Sequence, residues 1–369
     1  MPAPWYLVEN VAQIDTPALL VYPDRVRENI RLAIEIAGGV ERLRPHVKTH
    51  KMAEVIDLHL AAGVDKFKCA TLAEAEMAAQ RGAADVLLAY QPVGPAAVRF
   101  ARLVETFGDT AFSTIVDDRD AMQALSAALA ARGQRCRVLL DLDLGMGRTG
   151  VLPGDQAFAL YQAFERLPAL QPGGLHAYDG HIHDTDVGLR TRRAEAAYAP
   201  VAALRQRLEA AGLPVPLVVA GGSPTFPIHA PNPDRENSPG TYVFWDSGYG
   251  PTLSDLPFLP AALVLTRVIS KPAGGRLCLD LGHKALSADK PSPRVQLLNL
   301  LEAEEVVHSE EHLTVATPAA QEFQVGDVLY GVPRHICPTV ALHDEAVIIH
   351  EGRAGERWKV VARRRKISV

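Results

Sequence analysis

Arg44, His46, Lys48, His50 and Lys51 fall within eight residues of the stretch LRPHVKTHKMAEV, Leu43 to Val55. Residues 43–49 alternate as a short strand does, which predicts Arg44, His46 and Lys48 on one face. A lysine at the end of such a strand loses water and has cationic neighbours. Both effects favour the neutral amine, which attacks a carbonyl carbon. That is the requirement of a Schiff-base lysine, with His50 nearby as a candidate base. A surface cation at a strand end has the same spacing, so the stretch alone leaves both readings open.

Two glycine-rich segments suggest anion binding. AGGSPTF carries Gly221, Gly222, Ser223 and Thr225, and WDSGYG carries Ser247, Gly248, Tyr249 and Gly250. Glycines let backbone N–H groups approach an anion, and hydroxyls add donors. Either segment alone also suits an ordinary turn. In VPRHICPTVALHDEAVII, His335 and Cys337 are two residues apart. On an extended segment they point the same way, and imidazole with thiolate suits Zn²⁺. A satisfied histidine beside a buried thiol is the plain alternative.

Three further stretches carry polar groups. GLHAYDGHIHD holds His176, His181 and His183 with Asp179 and Asp184. Its place after a strand favours cofactor contact over a metal cluster, and His181 is a candidate for the substrate pocket or a plain loop histidine. DLDLGMGRTG places Arg148 to bind a carboxylate; it lacks the Lys-Ser/Thr ending of a P-loop and the G-x-G-x-x-G spacing. DLGHKAL offers His283 and Lys284, which a hairpin turn explains as well.

The elements that must position these residues alternate from about residue 16. Strand candidates run at 17–22, 43–49, 66–71, 85–91, 111–118, 136–145, 173–180, 216–222 and 241–247. Helical stretches such as DRVRENIRLAIEIAG and Leu189 to Gly212 lie between most of them. Such alternation predicts parallel strands with crossover helices. Counting eight strands from Leu43 predicts an α/β fold, an eight-stranded (β/α)8 TIM-like barrel over residues 23–250. The strand at 17–22 is then assigned elsewhere. After residue 250 short strands with turn signals predict an all-β domain over 251–369. In such a barrel Lys48 stands at the carboxyl end of the first strand. The two glycine segments follow strands seven and eight, where phosphate often binds. A phosphate cup with an inward lysine suggests pyridoxal 5'-phosphate.

The 369 residues are 48% hydrophobic and 22% charged, with a formal charge of −5. That suits one large or two medium globular domains and argues against a nucleic-acid partner. The run RRRK, Arg363 to Lys366, reads as a solvated end. Cys69, Cys136, Cys278 and Cys337 have no paired spacing, so no disulfide framework is expected. No signal peptide and no membrane span are expected, and the expected location is cytoplasmic.

RPHVKTHK, GGSPTF, DSGYG and PRHICPTVALHDE together resemble the D-threonine aldolase and D-serine dehydratase family of alanine-racemase-like, fold type III pyridoxal-phosphate enzymes. The resemblance extends over nearly the whole chain. It implies that Lys48 is the Schiff-base lysine and that Tyr178 approaches the pyridine nitrogen. It also implies a divalent metal, zinc or manganese, on His335 and Cys337. The strand within residues 1–22 would join the β domain, and the subunits would form a head-to-tail homodimer. The implied activity is a metal-assisted lyase reaction on small D-β-hydroxy-amino acids, D-threonine giving glycine and acetaldehyde. D-serine dehydratase and amino-acid racemase are the alternatives, with a non-catalytic cofactor carrier as a third.

Overall fold

The computed structural model describes residues 4–366 and 368–369. The chain divides into two compact units. One comprises Met1–Ile30, Thr49–Val55 and Thr241–Arg363, and the other Arg31–Lys48, Ile56–Gly240 and Arg364–Val369. The first strand, β1 (Ala18–Val21), belongs to the former unit.

The second unit is a curled parallel sheet of seven strands in chain order. These are β2 (Lys66–Cys69), β3 (Asp85–Leu88), β4 (Ala111–Val116), β5 (Cys136–Asp143), β6 (Leu170–Tyr178), β7 (Val218–Ala220) and β8 (Glu236–Asn237). Helices between the strands begin on side-chain caps. Thr71, Asp118 and Asp186 accept hydrogen bonds from the backbone N–H groups of Glu74, Ala121 and Leu189. The long helix Val187–Ala210 stops just before Gly212, at φ +77°. Leu87, Ile115, Leu139 and Val219 form a buried apolar cluster on one face of the sheet.

Residues 43–49 are not the regular strand that alternation predicts. Leu43 bridges to Asn237 of β8 and His46 to Lys68 of β2, each as an isolated parallel pairing. Val47–Thr49 then form a 3₁₀ turn. Pro45 has no N–H for a ladder, and His46 Nδ1 accepts the Lys48 N–H at 3.3 Å. Both pull the backbone away from extended pairing. The predicted strand at 241–247 is likewise absent. Thr241–Val243 form a 3₁₀ turn, the Thr241 carbonyl accepts from Phe244 and Trp245, and Trp245 takes φ +46°. Six of the eight expected strands form, and the unpredicted β8 makes seven, with Leu43 and His46 pairing to the two edge strands.

Arg44 fastens that segment. It is 1% exposed and donates to Glu236 Oε2 and Asp85 Oδ1, both at 2.6 Å. Arg137 also reaches Asp85 at 2.6 Å, and Lys66 reaches Glu236 at 2.7 Å. A buried guanidinium needs such partners to offset its lost hydration.

The other unit is mostly strand. To β1 it adds β9 (Ala262–Ser270), β10 (Arg276–Leu279), β11 (Val295–Leu297), β12 (Glu304–His308), β13 (Leu313–Ala316), β14 (Val328–Pro333), β15 (Glu345–His350) and β16 (Arg353–Lys359). They form one sheet in which β1 lies between β9, antiparallel, and β15, parallel. One apolar cluster gathers around Leu20, Leu263, Leu265 and Tyr330, and a second around Leu277, Leu281, Leu286 and Leu313.

Candidate active site

Lys48, Tyr178, Gly221, Gly222, Ser223 and Thr225 all lie in the unit of the parallel sheet. Three cations converge on the Tyr178 ring at the end of β6. Lys48 Nζ is 5.9 Å from its centre, Lys68 Nζ 5.2 Å and the Arg148 guanidinium 5.4 Å. Arg148 is brought there by a loop folded on Asp143, whose Oδ1 accepts the N–H groups of Gly145 and Gly147 at 2.9 and 3.0 Å.

The loop after β7 lies against the same ring. A Cβ on Gly222 would stand 3.0 Å from Tyr178 Cε2, and Gly221 takes φ +76°. Glycine at both positions is what permits this approach. Thr225 Oγ1 accepts the Gly222 N–H at 3.1 Å and donates to Asp179 Oδ1 at 2.6 Å. His229 Nδ1 accepts from Arg235 at 2.9 Å, since a guanidinium has no acceptor. Its Nε2 therefore carries the proton and donates to Asp179 Oδ2 at 2.8 Å. Ser223 Oγ accepts the Gly240 N–H at 3.2 Å. The loop is thus held by a buried relay from Arg235 to Thr225.

Register defines the face behind Tyr178. Lys68 pairs with Leu87, Asp141 with His176, and His176 with Val219. Paired residues of neighbouring strands share a face. Lys68, Asp141 and His176 therefore stand on the face of the Leu87–Val219 cluster. His176 Nδ1 donates to Asp141 Oδ1 at 2.6 Å. Its Nε2 is buried and has no hydrogen-bond partner among the described residues. Burial, outweighing Asp141, lowers the pKa of His176. Lys68 is 2% exposed. Burial first, then the charge of Lys48, bring its amine down to about 7, against the pull of Asp141 and Asp179.

His50, Ser247, Tyr249, His335 and Cys337 lie in the β-rich unit. His335 is itself extended, but the extended segment ends there. It precedes the short helix Ile336–Val340, which contains Cys337, because Pro338 sits in its first turn and Asp246 Oδ2 accepts the Ile336 N–H at 3.2 Å. The pair is nevertheless in contact. Burial opposes charge on His335, but hydrogen bonding to Cys337 and then to Asp289 pushes it up to about 9. Asp289 Oδ2 accepts from His335 Nδ1 at 2.6 Å. Cys337 Sγ lies 3.1 Å from Thr49 Oγ1 and 3.6 Å from Thr241 Oγ1. No cluster of three or more His, Cys, Asp or Glu suited to a metal occurs among the described residues. His50 is 1% exposed, with Nδ1 3.0 Å from the Met52 carbonyl.

The loop of Ser247 and Tyr249 spends its donors on itself. Asp246 Oδ1 accepts the N–H groups of Gly248 and Tyr249, and Ser247 Oγ donates to the Val332 carbonyl at 3.1 Å. Sequence reasoning missed Lys68, the Asp141–His176 pair, the Asp179 relay and Asp289. A lysine at the centre of the apolar run KFKCAT was the available signal for Lys68.

Comparison with known proteins identifies the family. The family described as alanine racemase, N-terminal domain matches residues 21–247, and that described as putative serine dehydratase domain matches residues 261–349. D-threonine aldolase of Arthrobacter sp. is 30% identical over 370 residues, covering 98% of this chain and 96% of its own. 3-Hydroxy-D-aspartate aldolase of Paracoccus denitrificans (strain Pd 1222) is 31% identical over 365 residues, covering 95% and 93%. The crystal structure of D-threonine aldolase from Filomicrobium marinum superposes with a TM-score of 0.88 at 29% identity, covering 96% of this chain and 97% of that one. A sheet of alanine-racemase type followed by a serine-dehydratase-type domain, matched nearly end to end, places the chain in the D-threonine aldolase and D-serine dehydratase family of pyridoxal-phosphate lyases.

Proposed function

We propose that the chain is a metal-assisted, pyridoxal-phosphate-dependent lyase that cleaves D-β-hydroxy-amino acids, with D-threonine giving glycine and acetaldehyde. The observation that carries this reading is the amine of Lys48 facing the Tyr178 ring beside the glycine loop at 221–225. A reactive amine, an aromatic face and a relay-held loop fit the aldehyde, ring and phosphate of pyridoxal phosphate. When bound, that cofactor supplies an electron sink for the carbanion left by Cα–Cβ cleavage.

The chain's own residues do the rest. Lys48 holds the aldehyde carbon and gives way to the substrate amine. Gly221, Gly222, Ser223 and Thr225 receive the phosphate. Tyr178 approaches the pyridine nitrogen, and Arg148 takes a carboxylate. Soft sulfur and an imidazole oriented by a carboxylate fit Zn²⁺ on Cys337 and His335, with Mn²⁺ the harder alternative. Such an ion supplies Lewis acidity for the β-hydroxyl. His50 accepts the hydroxyl proton. The bridges of Leu43 and His46 to the two edge strands support closure of the sheet as an eight-stranded (β/α)8 barrel. A cytoplasmic location and a homodimer complete the reading, the latter checked by sedimentation.

A dehydratase is the second reading, because residues 261–349 match the putative serine dehydratase domain and a relative of Delftia sp. (strain HT23), 31% identical, is a D-threo-3-hydroxyaspartate dehydratase. A racemase would use a second acid/base, commonly a tyrosine. Tyr330, the only tyrosine after residue 250, is buried in its own sheet, where its hydroxyl accepts the Val8 N–H. Product identification separates the readings. The aldolase yields acetaldehyde from D-threonine with added Zn²⁺ or Mn²⁺. Pyruvate from D-serine without acetaldehyde from D-threonine would establish the dehydratase.

A further inference from the structure

We propose that Lys68 is the proton acceptor of Lys48, taking the proton that the Lys48 amine sheds when it condenses with the cofactor aldehyde. This rests on the reading of Lys48 given above. Lys68 acts through Lys48 and is a positioning residue in that sense.

Lys68 lies on β2 next to the segment that bears Lys48. His46 bridges to it, and its N–H donates to the Pro45 carbonyl at 2.8 Å. Both amines face one ring, that of Tyr178. Lys68 is enclosed on the face of the Leu87–Val219 cluster and forms no ion pair among the described residues. The titratable and charged groups around it are Lys48 and Arg44 of the bridging segment, Asp141 of β5, His176 and Tyr178 of β6, Asp179 beyond β6, and Arg148.

These neighbours allow the amine to change charge. Burial, then the cation on Lys48, bring Lys68 to about 7, so a large share is neutral near pH 7. Arg44 is committed to Asp85 and Glu236, and a guanidinium accepts no proton. For His176, burial disfavours the charged ring. Asp141 already accepts from His176, and Asp179 from Thr225 and His229, which leaves Lys68 as the acceptor.

The transfer balances. One proton leaves Nζ of Lys48 and one is gained by Nζ of Lys68. The lone pair left on Lys48 adds to the aldehyde carbon, a carbon–nitrogen double bond forms, and the carbonyl oxygen leaves as water. With Lys48 no longer cationic, the repulsion that lowered Lys68 disappears. Asp141 and Asp179 then favour the new ammonium, and the charge of the site is conserved.

The test measures covalent loading. The full-length apoprotein is mixed with pyridoxal phosphate between about pH 6 and about pH 10, quenched with borohydride at timed intervals, and the label on the Lys48 peptide is counted by mass spectrometry. Lys68→Met removes the acceptor, and Lys68→Arg keeps a cation that cannot accept. Both are expected to load at least about tenfold more slowly than wild type near pH 7 and to approach it near pH 10, where hydroxide serves. Binding of 4-deoxypyridoxine 5'-phosphate, which has no aldehyde, confirms that the variant pocket is intact. Lys68→Gln replaces a variant that fails this control. Loading of either intact variant at the wild-type rate near pH 7 overturns the proposal alone. Wild-type protein unlabelled at Lys48 at every pH overturns the cofactor reading and this proposal together.

Discussion

Lys48 and His335 show how far single side chains carry the account. The sequence singles out Lys48 because its spacing sets a lysine among cations, with the glycine segment at 221–225 as a candidate anion site. Lys68 was not, since the local sequence does not say whether a strand lysine points to water or inward. The partner of His335 was invisible for a different reason: Asp289 stands 46 residues upstream and meets it only after folding. That carboxylate fixes the ring, which leaves Nε2 for the metal proposed above. Asp289→Asn is therefore expected to weaken Zn²⁺ binding by about 10- to 100-fold while leaving His335 and Cys337 in place. Titration against a chelator of known affinity checks this, and unchanged affinity would remove Asp289 from the metal site.

The elements were legible where strand and helix alternate at full length, as from β2 to β6. They failed at 43–49 and 241–247, where local hydrogen bonds turn short apolar runs into 3₁₀ turns. The pairing of β6 with its neighbours depends on one glycine. Gly174 has φ +113°, and a Cβ there would lie 1.8 Å from the Leu217 carbonyl oxygen. Gly174→Ala is expected to cost about 3 kcal/mol or more, read as a lowered urea midpoint. A midpoint equal to wild type would mean the β6–β7 approach is loose. The bridging segment depends on Arg44. Burial alone would raise the Asp85 carboxyl, but Arg44, then Arg137, hold it below its ordinary value. A depressed folded value stabilises the protein above the unfolded carboxyl range, about pH 4, and that contribution is lost as pH falls through the folded value. Asp85→Asn should therefore be less stable than wild type at neutral pH, with the gap closing in acid. A gap that is constant with pH would contradict the ion pairing.

The chain as a whole joins two compact units, each matching a different family description. The polypeptide passes from one unit to the other at Lys48 and Thr49, so the candidate cofactor amine and the threonine that contacts Cys337 are consecutive in sequence. Counting eight strands from Leu43 already set the strand at 17–22 apart, and the family resemblance assigned it to the β domain, where β1 lies. Its parallel pairing with β15 was not readable, because the two strands are more than 300 residues apart. The similarity to aldolases extends over the sequence of both units. The central claim concerns one amine, and peptide mapping tests it directly. After incubation with pyridoxal phosphate and reduction with borohydride, the account predicts one phosphopyridoxyl group per chain, on Lys48, and none at that position in Lys48→Ala. A label confined to another lysine, or a wild-type chain that takes none, would contradict it.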